Sequence, residues 1–571
     1  MPTATLAPSW SEPVPPGVPR AAASLSGRRW PGMAWLLAGL CALLALTGCG
    51  SLPKDVDRPV SRALSAPQGT PLGQLAASLT PRTARAGDSG FALVGSPNEA
   101  FSTRLALTQA ATRTLDIQYY AIHADASSRD LLRAVRQAAA RGVRVRILLD
   151  DFNSTGRNAL VMGMAFVPNV EMRMFNPLPG GRGAGMLRAV GALGDFQRIQ
   201  HRMHNKLYVA DNAWGITGGR NLGDAYFGTA DGSNFVDMDV LAVGPVVRAM
   251  SASFDRYWND ALAYPVQSLI TPQELRRLRD VSTTPEQPPQ ADHGAAPGPA
   301  QASAAAPSAS AAPSAAAAQD PAATLPGPAD LRSLPLIWAP ALLLVDQPSK
   351  LVPEQNDEHS EDTVVDGMLH LMQRARGDAL IVSPYFVPGP QMMKVFADMR
   401  QRGVRVRVLT NSLASNDAPL AHVGYARYRE ALIRLGVELY EMRAEQGAKL
   451  DRTVFGSGAG GSKASLHAKI FIIDGRVISI GSMNLDLRSK LQNTEIALVI
   501  LSAALSREAT AKIDDTLDDS AWRMELTPEG QLRWKAPAGA SFGDATSEPD
   551  ASLGLRMMLQ LLGPFAPDEM L

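Results

Sequence analysis

One stretch of this chain is written twice. Residues Ala100–Arg113, Leu115–Tyr120, Asp130–Ala140 and Val143–Leu149 read as helix, strand, helix, strand. The same order returns over Thr363–Arg376, Ala379–Phe386, Gln391–Arg400 and Val404–Leu409. The strands are short and rich in Val, Ile and Leu, and the helices carry Leu and Ala at helical spacing. Whole phrases recur: Tyr119-Tyr120 with Tyr385-Phe386, and Arg141-Gly-Val-Arg-Val-Arg146 with Arg402-Gly-Val-Arg-Val-Arg407, at offsets of 266 and 261 residues. Alternation of strands and helices predicts an α/β fold, each half a mixed or mostly parallel sheet flanked by helices. A duplicated half predicts pseudo-two-fold packing with any shared site at the junction. The 571 residues are too many for one core, and two domains of about 200 residues each plus tails is the natural division.

Composition narrows the partners. Formal net charge is zero, which argues against a duplex-DNA binder and gives no reason to expect a nucleic-acid partner. The two cysteines, Cys41 and Cys49, allow neither a disulfide framework nor a cysteine zinc site. Both lie in an N-terminal segment with a basic start (Arg20, Arg28, Arg29) and an apolar run, Met33–Leu46, of signal-peptide length. The run ends Leu46-Thr47-Gly48-Cys49, which resembles a bacterial lipobox. On that reading residues 1–48 are a signal peptide and Cys49 is lipidated. Residues 49–90 then form a membrane tether, residues 91–284 the first half and residues 329–571 the second. The expected location is the bacterial cell envelope, facing the periplasm, with the inner and the outer membrane both open. Between the halves, residues 285–328 are an Ala/Pro/Ser stretch with almost no large apolar side chains. It is read as a disordered linker, since it cannot bury enough surface to offset its ordering entropy. Leu553–Leu562 is a short apolar helix near the end, read as packing on its domain in preference to touching a membrane.

The chemistry sits in a motif that also occurs twice. His204-Asn-Lys206 is followed by Asp211, and His467-Ala-Lys469 by Asp474, 263 residues on. A lone copy would be read as a histidine at a strand edge; two copies in register with a repeat exclude that. Both enter strand-like runs, where residues two apart share a face. His204 and Lys206 therefore point together, as do His467 and Lys469. Asp211 and Asp474 complete the candidate catalytic set, but an odd step from their histidines puts them on the other face or in the following turn. They are expected to be its structural members. A glycine turn and an asparagine follow at matching distances: Gly218-Gly219-Arg220-Asn221 and Gly481-Ser482-Met483-Asn484. Glycine permits close backbone approach, and Asn offers an amide donor to an anionic oxygen. An acid then stands on a strand, Asp239 in the first half and Glu495 in the second, able to orient a histidine and fix its tautomer. Asp237 shares the parity of Asp239 and could serve instead.

These residues resemble the phospholipase D superfamily, whose hallmark is the twin H-x-K-x4-D with a trailing G-G/S-x-N. The resemblance covers most of residues 90 to 505. Arg202-Met-His204-Asn-Lys206, Gly218–Asn221, Ser383-Pro-Tyr-Phe-Val-Pro-Gly389 and the Leu-Gly-Pro-Phe-x-Pro-x-x-x-Leu end at Leu571 are similar to the bacterial cardiolipin synthase branch, its C type in particular. Asn212 stands where the family usually has Gly, and Asn tolerates the same left-handed conformation. The resemblance implies two phospholipase D-like halves sharing one site and needing no cofactor and no metal. His204 would be the nucleophile and His467 the general acid/base. Lys206, Lys469, Asn221 and Asn484 would hold the phosphate oxygens. The implied partners are a membrane and its phospholipids: phosphatidylglycerol, with phosphatidylethanolamine as a second candidate. No obligate protein partner is implied. If the acceptor is phosphatidylglycerol the product is cardiolipin; if it is water the enzyme is a phospholipase D. A secreted nuclease would share the core but needs a basic groove. Gly456-x-Gly458-x-x-Gly461 matches a dinucleotide fingerprint but precedes a strand, so it is read as a loop. His123, His201, His370 and His422 lack motif context and are read as structural.

Overall fold

A computed structural model describes residues 52–151, 159–178, 200–270, 273, 276, 325–352, 363–445 and 463–562. The signal segment with Cys49, all but the last four residues of the 285–328 stretch, the Gly456–Gly461 pattern and the final nine residues lie outside them.

The first half supplies β1 (Ser89–Val94), β2 (Thr114–Tyr119), β3 (Arg144–Asp150), β4 (Val170–Phe175), β5 (Arg202–Met203), β6 (Leu207–Ala210), β7 (Trp214–Gly218), β8 (Ser233–Val236), β9 (Asp239–Val243) and β10 (Ala263–Pro265). After the linker come β11 (Ile337–Ala339), β12 (Ala341–Val345), β13 (Asp378–Val382), β14 (Arg405–Asn411), β15 (Glu438–Met442), β16 (Lys463–Leu466), β17 (Ile470–Ile473), β18 (Val477–Gly481), β19 (Asn493–Thr494), β20 (Ile496–Leu501), β21 (Ala521–Leu526) and β22 (Leu532–Lys535). Two nine-stranded sheets result, ordered β10-β4-β3-β2-β6-β7-β9-β1-β11 and β12-β20-β18-β17-β13-β14-β15-β21-β22. Both are mixed. Within these two sheets parallel pairing is confined to β2-β3-β4 and β13-β14-β15. Those strands are the ones joined by helical crossovers; the remaining neighbours are antiparallel because hairpin returns connect strands such as β6-β7 and β17-β18.

The principal helices are α1 (Pro71–Leu79), α2 (Pro97–Ala110), α3 (Ala126–Ala140), α4 (Pro245–Trp258), α5 (Val364–Gln373), α6 (Gly389–Gln401), α7 (Pro419–Ala426), α8 (Leu487–Leu491), α9 (Ala503–Ser520) and α10 (Leu553–Leu562). The repeat is legible in their ends. α2 and α5 both open with a capping box, Ser96 with Glu99 and Thr363 with Asp366. α3 and α6 both close on a left-handed glycine, Gly142 (φ 94°) and Gly403 (φ 82°). That conformation stops the helix and turns the chain into β3 or β14.

Three apolar cores organise the molecule. One lies beneath α2 and α3, and its counterpart beneath α5 and α6. The third is shared: Val240, Phe254 and Trp258 of the first half pack with Ile472, Leu498 and Ile513 of the second. Truncating one of its fully buried aromatics, such as Phe254, to Ala would cost about 3–5 kcal/mol. α4 and α9 both contribute to this middle layer, so the two sheets face each other across it.

Residues 52–88, read above as tether, instead pack on the first half. Leu72 and Ala76 of α1 are buried, Trp214 Nε1 donates to the Leu72 carbonyl at 2.9 Å, and Arg58 Nε donates to the Ala263 carbonyl at 3.2 Å. No helix among the described residues is long and apolar enough to cross a membrane.

Candidate active site

Two short parallel pairings stitch the halves together, and each delivers a histidine beside an acid. β5 pairs with β19 so that Met203 lies opposite Thr494; the next residues are His204 and Glu495. β16 pairs with β8 so that Leu466 lies opposite Val236; the next residues are His467 and Asp237. The backbone bonds repeat as well: His204 N–H donates to the Thr494 carbonyl at 3.0 Å, and His467 N–H to the Val236 carbonyl at 2.8 Å. Such reciprocity is what a two-fold relation between duplicated halves imposes.

The side chains complete the exchange. His204 Nδ1 lies 3.0 and 3.1 Å from the Glu495 carboxylate oxygens, and His467 Nδ1 lies 2.8 Å from Asp237 Oδ2. An ionised carboxylate only accepts, so in each pair Nδ1 carries the proton and Nε2 keeps its lone pair. Glu495 is also held by the hydroxyls of Ser482 and Ser489. Its burial favours the neutral form, but His204, Lys206 and Ser482 together bring it below its ordinary range. Asp237 is raised by burial against the opposing charges of Arg220 and Lys469.

Asp239, read as the orienting acid of the first half, does not touch His467. It accepts from Arg104 at 2.8 Å and lies 3.4 Å from Arg220, all three side chains being buried. Strand register explains the exchange of roles. Gly218 pairs with Asp239 as Gly481 pairs with Ala497, so Asp237, not Asp239, is the counterpart of Glu495. Parity cannot separate residues two apart; the distance from the glycine turn does. The glycines are there for close approach. A Cβ on Gly218 would stand 2.1 Å from the Asp239 carboxylate, and one on Gly219 2.4 Å from that of Asp237.

Lys206 and Lys469 share the buried floor with the histidines, each ammonium donating to the carbonyl of its own motif histidine, at 2.8 and 2.5 Å. Each also faces a tyrosine ring, Tyr120 at 5.8 Å and Tyr385 at 6.0 Å. Burial, with repulsion from Lys469 and some relief from Glu495, takes Lys206 down to about 7. Burial takes Lys469 to about 8 against the pull of Asp237 and Glu495. His204 falls to about 4 through burial and the Lys206 charge, with Glu495 resisting. Burial and the charges of Lys469, Lys206 and His204 hold His467 well below its ordinary value. Around neutral pH the site thus holds two neutral imidazoles, each with its proton on Nδ1, beside two buried lysines that release their protons readily. That combination accommodates a phosphodiester anion.

Asp211 and Asp474 stand apart from this chemistry. Asp211 accepts from the backbone N–H groups of Thr112, Arg113 and Thr114 at 2.8–3.0 Å, and Asp474 from those of Arg376, Gly377 and Asp378 at 2.7–3.1 Å. Each clamps the turn that leads into β2 or β13, so the motif aspartates belong to the scaffold. Asp211 and Asp474 are left-handed (φ 50° and 52°), as are the residues after them, Asn212 (φ 51°) and Gly475 (φ 59°).

The two histidines open into one cavity of about 890 Å³ with Asn221 and Asn484 in its wall. Asn221 donates to the Tyr226 hydroxyl at 2.9 Å, while the buried Oδ1 of Asn484 has no protein partner. Tyr226 stacks on Phe235, with centroids 4.6 Å apart, and both rings lie against His467. Tyr120 meets His204 edge-on at 5.2 Å. His123, read above as structural, also lines the cavity, together with Tyr385, Asp417, Asp486 and Arg488. Tyr385 lies inside the quoted Ser383–Gly389 phrase; nothing in the local pattern marks Asp417, which accepts from the Tyr385 hydroxyl at 2.8 Å. Asp486 is pushed up to about 7 by burial. His422 is buried in an ion network with Arg429 and Glu548, consistent with a structural role. Among the described residues no group of three or more His, Cys, Asp and Glu is placed to hold a metal ion.

Residues 105–258 and 368–517 match the family described as "Cardiolipin synthase, PLD-like domain". The chain belongs to this family. The two matched segments each contain one complete His-x-Lys motif and one of the crossed acids. Among curated relatives, Cardiolipin synthase C of Escherichia coli K12 is 35% identical over 466 residues, 81% of this chain and 92% of that one. Cardiolipin synthase B of Salmonella typhi is 23% identical over 395 residues, 69% and 72% of the two chains. The fold is that of the phosphatidylserine synthase of Haemophilus influenzae Rd KW20, with a TM-score of 0.53 at 14% identity over 93% of this chain and 99% of that one. As a cardiolipin synthase family member with both motif sets present, the chain is a phosphatidyltransferase acting on phospholipids.

Proposed function

We propose that this enzyme forms cardiolipin by transferring a phosphatidyl group, through a phosphohistidine on His204, to a hydroxyl of phosphatidylglycerol. The observation that carries the reading is the pair of crossed His–carboxylate contacts at one cavity, with a buried lysine two residues from each histidine. In the first step His204 Nε2 attacks phosphorus, an N–P bond forms, and the P–O bond to the donor headgroup breaks. Protonated His467 gives its Nε2 proton to the departing oxygen. In the second step neutral His467 takes the acceptor hydroxyl proton, the acceptor oxygen attacks phosphorus, and the N–P bond breaks. His204 is returned neutral and His467 protonated. Lys206 and Lys469 balance charge on the phosphoryl oxygens throughout, without a metal in the mechanism. Burial, then the charges of Lys469 and Lys206, keep His467 neutral in the empty site, and an incoming phosphodiester anion opposes both by favouring the imidazolium. The assignment of His204 as nucleophile is supported by its partner: Glu495 is the carboxylate held low, the better stabiliser of a cationic imidazole.

The donor is a phospholipid, phosphatidylglycerol or phosphatidylethanolamine. The chain is anchored in the cell envelope, facing the periplasm, by lipid on Cys49. Incorporation of labelled palmitate into the wild type but not into Cys49→Ser is the expected result.

Leaving-group dependence tests the mechanism. Acid-quenched His204→Ala should carry no covalent lipid. His467→Ala should fail with natural headgroups yet form the adduct with a nitrophenyl phosphodiester, whose leaving group needs no proton. An adduct trapped on His467 would reverse the roles. Mostly phosphatidic acid from the wild type on phosphatidylglycerol bilayers would make the enzyme a hydrolase.

A further inference from the structure

Eight large apolar side chains are exposed among the described residues, and five of them gather on three helices. Leu553, Met557 and Leu561, at 78%, 60% and 66% exposure, stand four residues apart on α10 and share one face. α10 packs against α7, whose Leu420 is half-exposed and lines the catalytic cavity. Leu491 is exposed on α8, three residues from Arg488 in the same cavity wall. An apolar strip therefore runs from the solvent face of α10 to the rim of the active site.

We propose that this strip is the surface by which the enzyme docks on the bilayer, with α10 lying in the lipid interface and the cavity mouth held against the headgroups. The proposal rests on the phosphatidyl-transfer reading above and adds to it the orientation of the enzyme. A phospholipid can place its phosphate between His204 and His467 while its acyl chains stay in an apolar medium only if that medium begins at the mouth. Charge fits the same occupant. The acids just before α10 are already neutralised, Glu548 by Arg429 at 2.5 Å and Asp550 by Arg443 at 3.2 Å. Arg488 in the cavity wall and Arg556 on α10 add cations that an anionic lipid surface can meet. A second copy of the chain seated on the strip would instead close the mouth that has to admit two lipids.

Two variants of the full chain test this. The M557W variant should show tryptophan emission quenched by phosphatidylethanolamine/phosphatidylglycerol vesicles brominated in their acyl chains, beyond the quenching of the wild type. This readout needs no turnover, so it separates failure of docking from failure of the transfer reaction. The triple variant L553S/M557S/L561S should lose roughly tenfold or more in turnover on vesicles. Its turnover of a water-soluble short-chain phosphodiester should stay within about twofold, which also reports that it is folded. No excess quenching of M557W, or unchanged vesicle turnover in the triple variant, overturns the proposal. So does a wild-type dimer that the triple variant dissolves, which would assign the strip to contact between copies.

Discussion

His467 Nδ1 stands 2.8 Å from Asp237, a carboxylate supplied by the other half of the molecule. Its mirror relation joins His204 to Glu495. Each half thus carries a motif histidine whose orientation, tautomer and basicity are set by its neighbour.

Asp237 and Asp239 should therefore fail differently. Asp237→Asn is expected to lower kcat by about 10²–10⁴-fold with the melting temperature nearly kept, as for removal of a carboxylate that orients a catalytic histidine. Asp239→Asn leaves Arg104 and Arg220 buried without their counterion, so it should cost about 3–5 kcal/mol in stability. Thermal unfolding and steady-state kinetics on the same two preparations check both halves of the statement.

Lys206 should show the conflict between function and stability. In the folded protein it is lowered to about 7, whereas the unfolded chain holds it near 10.5. Between those values the unfolded state binds the extra proton, so this residue makes stability rise with pH across the window. Below pH 7 the cost of the buried charge is fully present. Lys206→Met is expected to raise the melting temperature at pH 7, flatten its rise toward pH 9, and abolish turnover. A variant less stable than the wild type at pH 7 would contradict this.

The same lowered lysines shape catalysis. As pH climbs through about 7 to 8, Lys206 and Lys469 lose charge and the anionic substrate loses its counterions. KM for a phosphodiester should rise over that range, and more steeply than kcat falls. A pH profile of the two constants separately reads this out.

Gly219→Ala tests the close approach of the turn to the clamp. The added methyl would meet the Asp237 carboxylate at 2.4 Å, and the carboxylate must move off His467 to relieve it. Activity should fall about a hundredfold, with a smaller change in unfolding midpoint.

The last expectation concerns metals. In the proposed mechanism lysines balance the charge on the phosphoryl group, so excess chelator should leave turnover unchanged. Activity lost to chelator and restored by one divalent metal would refute it.

Much of this was legible in the sequence. The repeat, the paired motifs and the structural role of Asp211 and Asp474 follow from periodicity and spacing, which are local properties. What the sequence hid was pairing across the halves. Asp237 and Asp239 share parity in the sequence, and the register of Gly218 against Asp239 is what separates them. His123 and Asp417 reach the cavity from distant loops that no local pattern links to the motifs. Residues 52–88 look like a tether because polar residues, Pro and Gly dominate them; the sign that they pack is the capped helix Thr70-Pro71 with Leu72, Leu75, Ala76 and Leu79. The mixed character of both sheets has a local cause: helical crossovers give the parallel pairs and short turns force antiparallel returns.

The crossing of partners also has a consequence for timing. His204 acquires its carboxylate from a residue 291 positions later, and His467 from one 230 positions earlier. A growing polypeptide carries its first histidine long before Glu495 has been synthesised. Neither histidine has its carboxylate until the two halves are joined. An enzyme that acts on phospholipids therefore lacks a complete site while it is still being made.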